Sequence, residues 1–300
     1  MPSSLLATRP MSHPRWLPPE VWPWDIVAIE IDRSSIAVSE AGRGPAVLFY
    51  TGIGSFIWRD VIMRLSKDFR CVVLDPPGIG SSAPIPRVEA TLRRSASAVA
   101  GVIEAFELSD LTLVVHDTGG PPAFAAAARR PEHIRGIVAV NTFGWRPTGA
   151  AFRGLLTVMG SPATRQLSVT TGALARVTAT AFGAGRRLDP RSRRAFRAGF
   201  QNSMRVFHDY LRDARDSDLY EEIASGFAGP LRRLPLLTIF GERNDPLDFQ
   251  PRWKTLFPDA RQIVIPKGNH FPMCDDPDRV ADEIRRWHRE YVADSPEERS

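Results

Sequence analysis

The chain reads as an α/β protein: a mostly parallel eight-stranded sheet with helices on both faces and a helical cap inserted after the sixth strand. Three observations predict this. β-Branched runs of strand length alternate with helix-patterned stretches, glycine-rich turns follow the strand ends, and one arginine-rich stretch without a good strand interrupts the rhythm. Strands are predicted at residues 26–31, 35–39, 46–50, 70–75, 111–117, 135–140, 234–240 and 261–265. The first two read as a hairpin at a sheet edge. Helices are predicted at 58–65, where Val61, Ile62 and Leu65 share a face, and at 88–106, 122–129 and 277–292. The organisation that follows is a Pro/Trp-rich arm (1–25), a core domain (26–144 and 234–300) and a helical cap (145–233) that includes a helix over 192–214.

Composition narrows the class of function. Three hundred residues suit one α/β domain with an insertion, and 43% hydrophobic with 24% charged content is that of an ordinary soluble protein. The net charge of +5 does not point to nucleic acid, because lysine occurs only at 67, 254 and 267 and the excess is local. Residues 146–230 carry 13 arginines against 7 acidic residues, which reads as a solvated helical surface, with steering of an anion as the other reading. Cys71 and Cys274 form no disulfide framework. There is no apolar run of membrane length and no signal-like leader, so a cytoplasmic enzyme is expected, as monomer or homodimer. No cofactor or metal is called for.

The chemistry concentrates at Leu111-Thr-Leu-Val-Val-His-Asp117-Thr-Gly-Gly120. An apolar strand stops at a polar residue, two glycines follow, and an Ala-rich helix begins. That is the strand–turn–helix elbow on which a nucleophile is mounted as G-x-S-x-G; here the five positions are Val115, His116, Asp117, Thr118 and Gly119. A carboxylate in the nucleophile slot attacks saturated carbon and leaves an alkyl ester. Hydrolysing that ester requires a base. His270 is the one histidine of six that follows a strand on a glycine-containing loop before the last helix. His288 reads as a surface residue of that helix, and His116 should face away from Asp117 because strand neighbours alternate. The orienting acid is expected after the seventh strand, in Gly241-Glu-Arg-Asn-Asp-Pro246, with Asp245 preferred over Glu242. Asn141, at the end of the sixth strand, is an amide and cannot be that acid. Backbone N–H groups of Ile53 and Thr118 are expected to hold an oxyanion. Asp75, within Asp-Pro-Pro-Gly, reads as a loop-building residue.

With these residues assembled, the chain resembles the α/β-hydrolase superfamily, on the branch of haloalkane dehalogenases and epoxide hydrolases that use an Asp nucleophile. Val-Val-His-Asp-Thr-Gly-Gly-Pro is similar to the dehalogenase elbow, and Asn141-Thr-Phe-Gly-Trp145-Arg-Pro to the segment that leads into the dehalogenase cap. Gly268-Asn-His-Phe-Pro-Met-Cys-Asp-Asp-Pro277 is similar to the family's histidine loop.

The departures from the family pattern bear on substrate. Dehalogenases usually place a Trp after the nucleophile and an Asn in the oxyanion loop to hold the halide; this chain has Thr118 and Ile53 there. Trp145 is the substitute indole that the resemblance suggests. Epoxide hydrolases protonate the opening oxygen with cap tyrosines, for which Tyr210 is the better candidate of the two in the cap. The expected partners are water and a small apolar halide or epoxide, neither nucleic acid nor membrane. Three readings stay open: a dehalogenase-like hydrolase, an epoxide hydrolase, and a hydrolase-like protein that binds or acts in a specialised way.

Overall fold

A computed structural model describes residues 8–292. Nine strands form one sheet: β1 (Arg9–Met11), β2 (Ile26–Ile31), β3 (Ser34–Ala41), β4 (Ala46–Thr51), β5 (Arg70–Leu74), β6 (Leu111–Asp117), β7 (Ile134–Thr142), β8 (Leu236–Gly241) and β9 (Arg261–Ile265). Their order is β1-β2-β3-β5-β4-β6-β7-β8-β9. The first three strands and the β3–β5 pair run antiparallel, and every pair from β5 to β9 is parallel.

The ninth strand corrects the expected eight. Within the arm, Arg9–Met11 adds outside the hairpin, pairing Arg9 with Ala28 and Met11 with Ile26. The segment Arg-Pro-Met is too short and too polar to show period-two patterning, so only the partner edge reveals it. The rest of the described arm is anchored rather than loose. Leu17, Val21 and Trp22 are buried, and the Trp22 indole N–H donates to Ser39 Oγ at 3.0 Å.

The crossovers fix the helix layers. From β4, the chain passes through α1 (Arg59–Leu65) to β5 on one side, then through α2 (Leu92–Ala105) to β6 on the other. Right-handed crossovers that step in opposite directions put these helices on opposite faces. α3 (Gly120–Arg129) follows β6 and packs with α2, whereas the C-terminal α11 (Pro277–Trp287) packs with α1. His288 corrects the surface expectation. The helix widens into a π-turn over His288–Val292, and the buried imidazole of His288 packs against Phe69 at 4.9 Å.

Between β7 and β8 lie α4 (Ala150–Met159), α5 (Pro162–Thr171), α6 (Ala173–Thr178), α7 (Pro190–Asp216) and α8 (Leu219–Ala228). α4, α5 and α6 pack on α7, the 27-residue spine of the insert. α7 starts where it does because Asp189 caps the N–H groups of Arg191 and Ser192 and Pro190 occupies the first turn. Its inner face docks on the loop after β5. The Tyr210 hydroxyl donates to the Pro77 carbonyl, Asp209 pairs with Arg87, and Asp213 accepts the Leu92 N–H. α8 packs on α3 of the body rather than on the other insert helices.

Candidate active site

Strands β4, β6, β7 and β8 end at one edge of the sheet, and Asp117 and His270 meet there. Asp117 closes β6 with φ +52°, a left-handed conformation that costs a non-glycine residue about 1–3 kcal/mol. The surroundings enforce it. A Cβ on Gly119 would meet Thr51 Cα at 2.5 Å and the His116 carbonyl at 2.9 Å, so only glycine lets the elbow turn against β4. Thr142 Oγ1 donates to the Asp117 carbonyl at 2.5 Å and holds the turn from β7.

The structure brings Asp117 and His270 together, with His270 Nε2 3.7 Å from Asp117 Oδ1. Burial pushes the Asp117 carboxyl up, but His270 beside it and the N–H of Thr118 outweigh that and hold it below the usual carboxylate range. The carboxylate is therefore ionised at neutral pH. Thr118 is buried with its hydroxyl against Gly52, where any Cβ would collide with it. Ile53, also buried, offers an N–H that no acceptor among the described residues takes.

His270 sits on a loop tied down from three directions. Asn141, at φ +38°, donates from Nδ2 to the carbonyls of Asn269 and His270 at 2.9 and 2.8 Å, while its Oδ1 accepts the Gly241 N–H. From β6, His116 Nε2 reaches the His270 carbonyl at 2.9 Å and its Nδ1 pairs with Thr51 Oγ1 at 3.2 Å. From the insert, Arg186 donates to the Lys267 carbonyl and pairs with buried Asp275, which accepts the Asn269 N–H at 2.6 Å.

His116 thus belongs to the site from beneath. Its side chain leaves Asp117's face, as strand alternation demands, yet its ring packs 4.8 Å from that of His270. Burial and the neighbouring His270 push its pKa down to about 3, so it is neutral. Asn141, an amide unsuited to the role of acid, serves instead as a three-way tie, which leaves no trace in composition because it depends on where loops meet.

The other candidates are engaged elsewhere. Asp245 accepts the Phe249 and Gln250 N–H groups at 2.7 and 3.0 Å, at the start of α9 (Phe249–Leu256). Glu242 accepts the Lys267 N–H. Tyr210 is buried with its hydroxyl committed to Pro77, and burial raises its pKa. Trp145 is buried among Phe143, Phe249 and Trp253, with the Arg252 guanidinium 4.6 Å from its ring centroid. Asp75 builds the loop as expected. It is buried and accepts the Ser55 and Ser81 N–H groups at 2.6 and 2.7 Å.

Comparison with known proteins agrees with this fold. The family model of the alpha/beta hydrolase fold matches residues 45–277. "Haloalkane dehalogenase 2" of Mycobacterium bovis is 26% identical over 278 residues, covering 88% of this chain and 94% of that protein. A solved structure of DbjA superposes with a TM-score of 0.76 at 24% identity, over 90% of this chain and 100% of that one. The epoxide hydrolase VrEH1 of Vigna radiata superposes with a TM-score of 0.73 at 18% identity, over 90% and 100%. At these identities the two superpositions speak for the fold.

Proposed function

We propose, for a chain that belongs to the α/β-hydrolase fold family and is a haloalkane dehalogenase-like hydrolase, that Asp117 is the nucleophile of a two-step displacement at saturated carbon. The observation that carries the proposal is an ionised carboxylate at an elbow φ of +52°, with a histidine Nε2 3.7 Å away. Oδ1 of Asp117 attacks the substrate carbon, the carbon–halogen bond breaks, and halide leaves with the bonding pair. The product is an alkyl ester of Asp117. His270 then takes a proton from water as the water oxygen adds to the ester carbonyl carbon. The N–H groups of Ile53 and Thr118 stabilise the resulting oxyanion, and collapse releases the alcohol with the proton that His270 returns. No metal or cofactor enters either step.

With Nε2 turned to Asp117, the His270 Nδ1 is left for an orienting acid. Asp245 is proposed for that role. Its loop follows β8, and each carboxylate oxygen that caps α9 retains a second lone pair. Trp145 is proposed as the indole on the leaving-group side, although its present contacts are with the aromatic cluster around α9. A second reading, opening of an epoxide to a diol with Tyr210 as proton donor, is supported by 33% identity over 111 residues to an epoxide hydrolase of Caballeronia sordidicola. It requires Tyr210 to give up Pro77.

The test is trapping. With His270→Gln, alkylation proceeds and ester hydrolysis stalls. Hexyl bromide should add one hexyl group to the intact protein mass, on the peptide holding Asp117, with bromide released in equal amount. Hexene oxide giving the adduct while hexyl bromide gives none would replace the first reading with the second. Normal turnover by the variant would remove His270 from the mechanism.

A further inference from the structure

A cavity of about 910 Å³ away from Asp117 lies where the N-terminal segment, the loop after β5 and the insert helices α5 and α7 meet. Arg87, Arg165 and Arg205 line it, and no carboxylate does. Arg87 is neutralised by a bidentate pair with Asp209 at 2.8 and 2.9 Å. Arg165 and Arg205 have no carboxylate partner among the described residues, and Arg165 Nε is sealed in the wall without an acceptor. Two more atoms of lining residues, Ser81 Oγ and Gln201 Oε1, are buried without hydrogen-bond partners among the described residues. Buried polar groups are normally paired, so this wall is where the chain leaves hydrogen-bonding capacity unused.

Part of the lining is apolar. Trp16, Ile85, Val169 and Val206 border the same space. A cavity of that size with a few convergent polar groups and an apolar side has the character of a small-molecule site. Its charge selects the ligand, because two guanidinium groups without carboxylate partners, on half-buried Arg165 and exposed Arg205, favour an anion over a neutral solute. The apolar face favours an organic body over an inorganic ion. The arginine excess of the insert, first read as a solvated surface, is in part turned into this recess.

We infer that the cavity between Trp16 and α5/α7 is a binding site for a small organic carboxylate, with Arg165 and Arg205 holding the carboxylate and Trp16, Ile85, Val169 and Val206 its hydrocarbon. This assignment is independent of the chemistry at Asp117. The wall at Gly80 stands behind the oxyanion loop, since a Cβ on Gly54 would lie 3.8 Å from Gly80 Cα, so the ligand would sit beside the reactive site without entering it.

Isothermal titration of the full chain with phenylacetate tests the inference, with benzyl alcohol and inorganic phosphate as probes of the two halves. Phenylacetate should bind, and each control at least about tenfold more weakly, equivalent to about 1.4 kcal/mol. Arg165→Gln/Arg205→Gln should weaken phenylacetate by about tenfold or more. Arg205→Gln alone, a change at an exposed position that leaves the fold intact, should weaken it measurably. Asp117→Asn should bind as the native chain does. Absence of phenylacetate binding, equal binding by the arginine variants, phosphate binding as tight as phenylacetate, or loss of binding in Asp117→Asn would each overturn the site.

Discussion

Replacing His116 with phenylalanine removes a buried base while keeping a ring of similar size in the same space. His116 is fully buried, and its pKa of about 3 lies far below the ordinary 6.5, so the folded protein holds it neutral across the mild acid range. The unfolded chain protonates it from about pH 6.5 downward. Below that value the unfolded state therefore binds a proton that the native state refuses. Stability from this group is fully present above the unfolded pKa and is lost as pH falls toward the folded one. From about pH 8 to about pH 5 the loss amounts to about 2 kcal/mol. Burial also lowers the pKa of His208 and of His288, which add slopes of the same sign in both proteins. Asp117, held below the usual carboxylate range, loses its contribution only at lower pH. The Phe variant also orphans the Thr51 hydroxyl and takes one donor from the His270 carbonyl, an offset of about 1–3 kcal/mol that does not vary with pH. Urea unfolding at a series of pH values separates the two effects. The native protein should lose about 2 kcal/mol more than His116→Phe between the two limits, at equal m-values. Parallel curves would refute the claim that a neutral His116 is locked beneath the site.

Further substitutions probe the scaffold and the choice of leaving group. Gly119→Ala should destabilise the fold by more than the roughly 1–3 kcal/mol typical of overpacking, because the new Cβ meets the backbone of Thr51 and His116; a thermal melt close to native would contradict this. Asp75→Ala leaves the Ser55 and Ser81 N–H groups without their acceptor and should cost about 2–4 kcal/mol in urea unfolding. Tyr210→Phe should cost about 1 kcal/mol for the lost bond to Pro77, and it should leave bromide release from hexyl bromide unchanged while abolishing any diol formation. Trp145→Phe should lower bromide release and, by cutting back a ring packed on Phe143, Phe249 and Trp253, cost about 1–2 kcal/mol while the fold stays intact; an unchanged rate would remove the indole from the leaving-group side.

The sheet was legible because its strands are apolar on both faces and end in glycine-rich turns; β4, β6 and β8 are buried at nearly every residue. β1 was not, since three polar-flanked residues form a strand only against a partner edge. Asp117 and His270 stand out in the sequence because Asp117 ends a strand before Gly119-Gly120 and His270 follows a strand on a loop that contains Gly268. Asn141 and His116 could not be assigned their ties from spacing, because both act on the His270 carbonyl, more than 100 residues away along the chain. The same limit applies to Asp245, Trp145 and Tyr210. Local sequence places each on a loop or helix, but the direction of each side chain is set by what packs there: α9's N–H groups, the aromatic cluster, and the Pro77 carbonyl.

A single turnover of hexyl bromide in heavy-oxygen water, followed by peptide mass analysis, tests the covalent route most directly. Water attacks the carbonyl carbon of the ester, so one heavy oxygen should remain in the Asp117 carboxylate while the hexanol leaves with the ester's original oxygen. Label found only in hexanol, with the Asp117 peptide at its native mass, would mean that water attacks the substrate carbon itself and would contradict Asp117 as nucleophile.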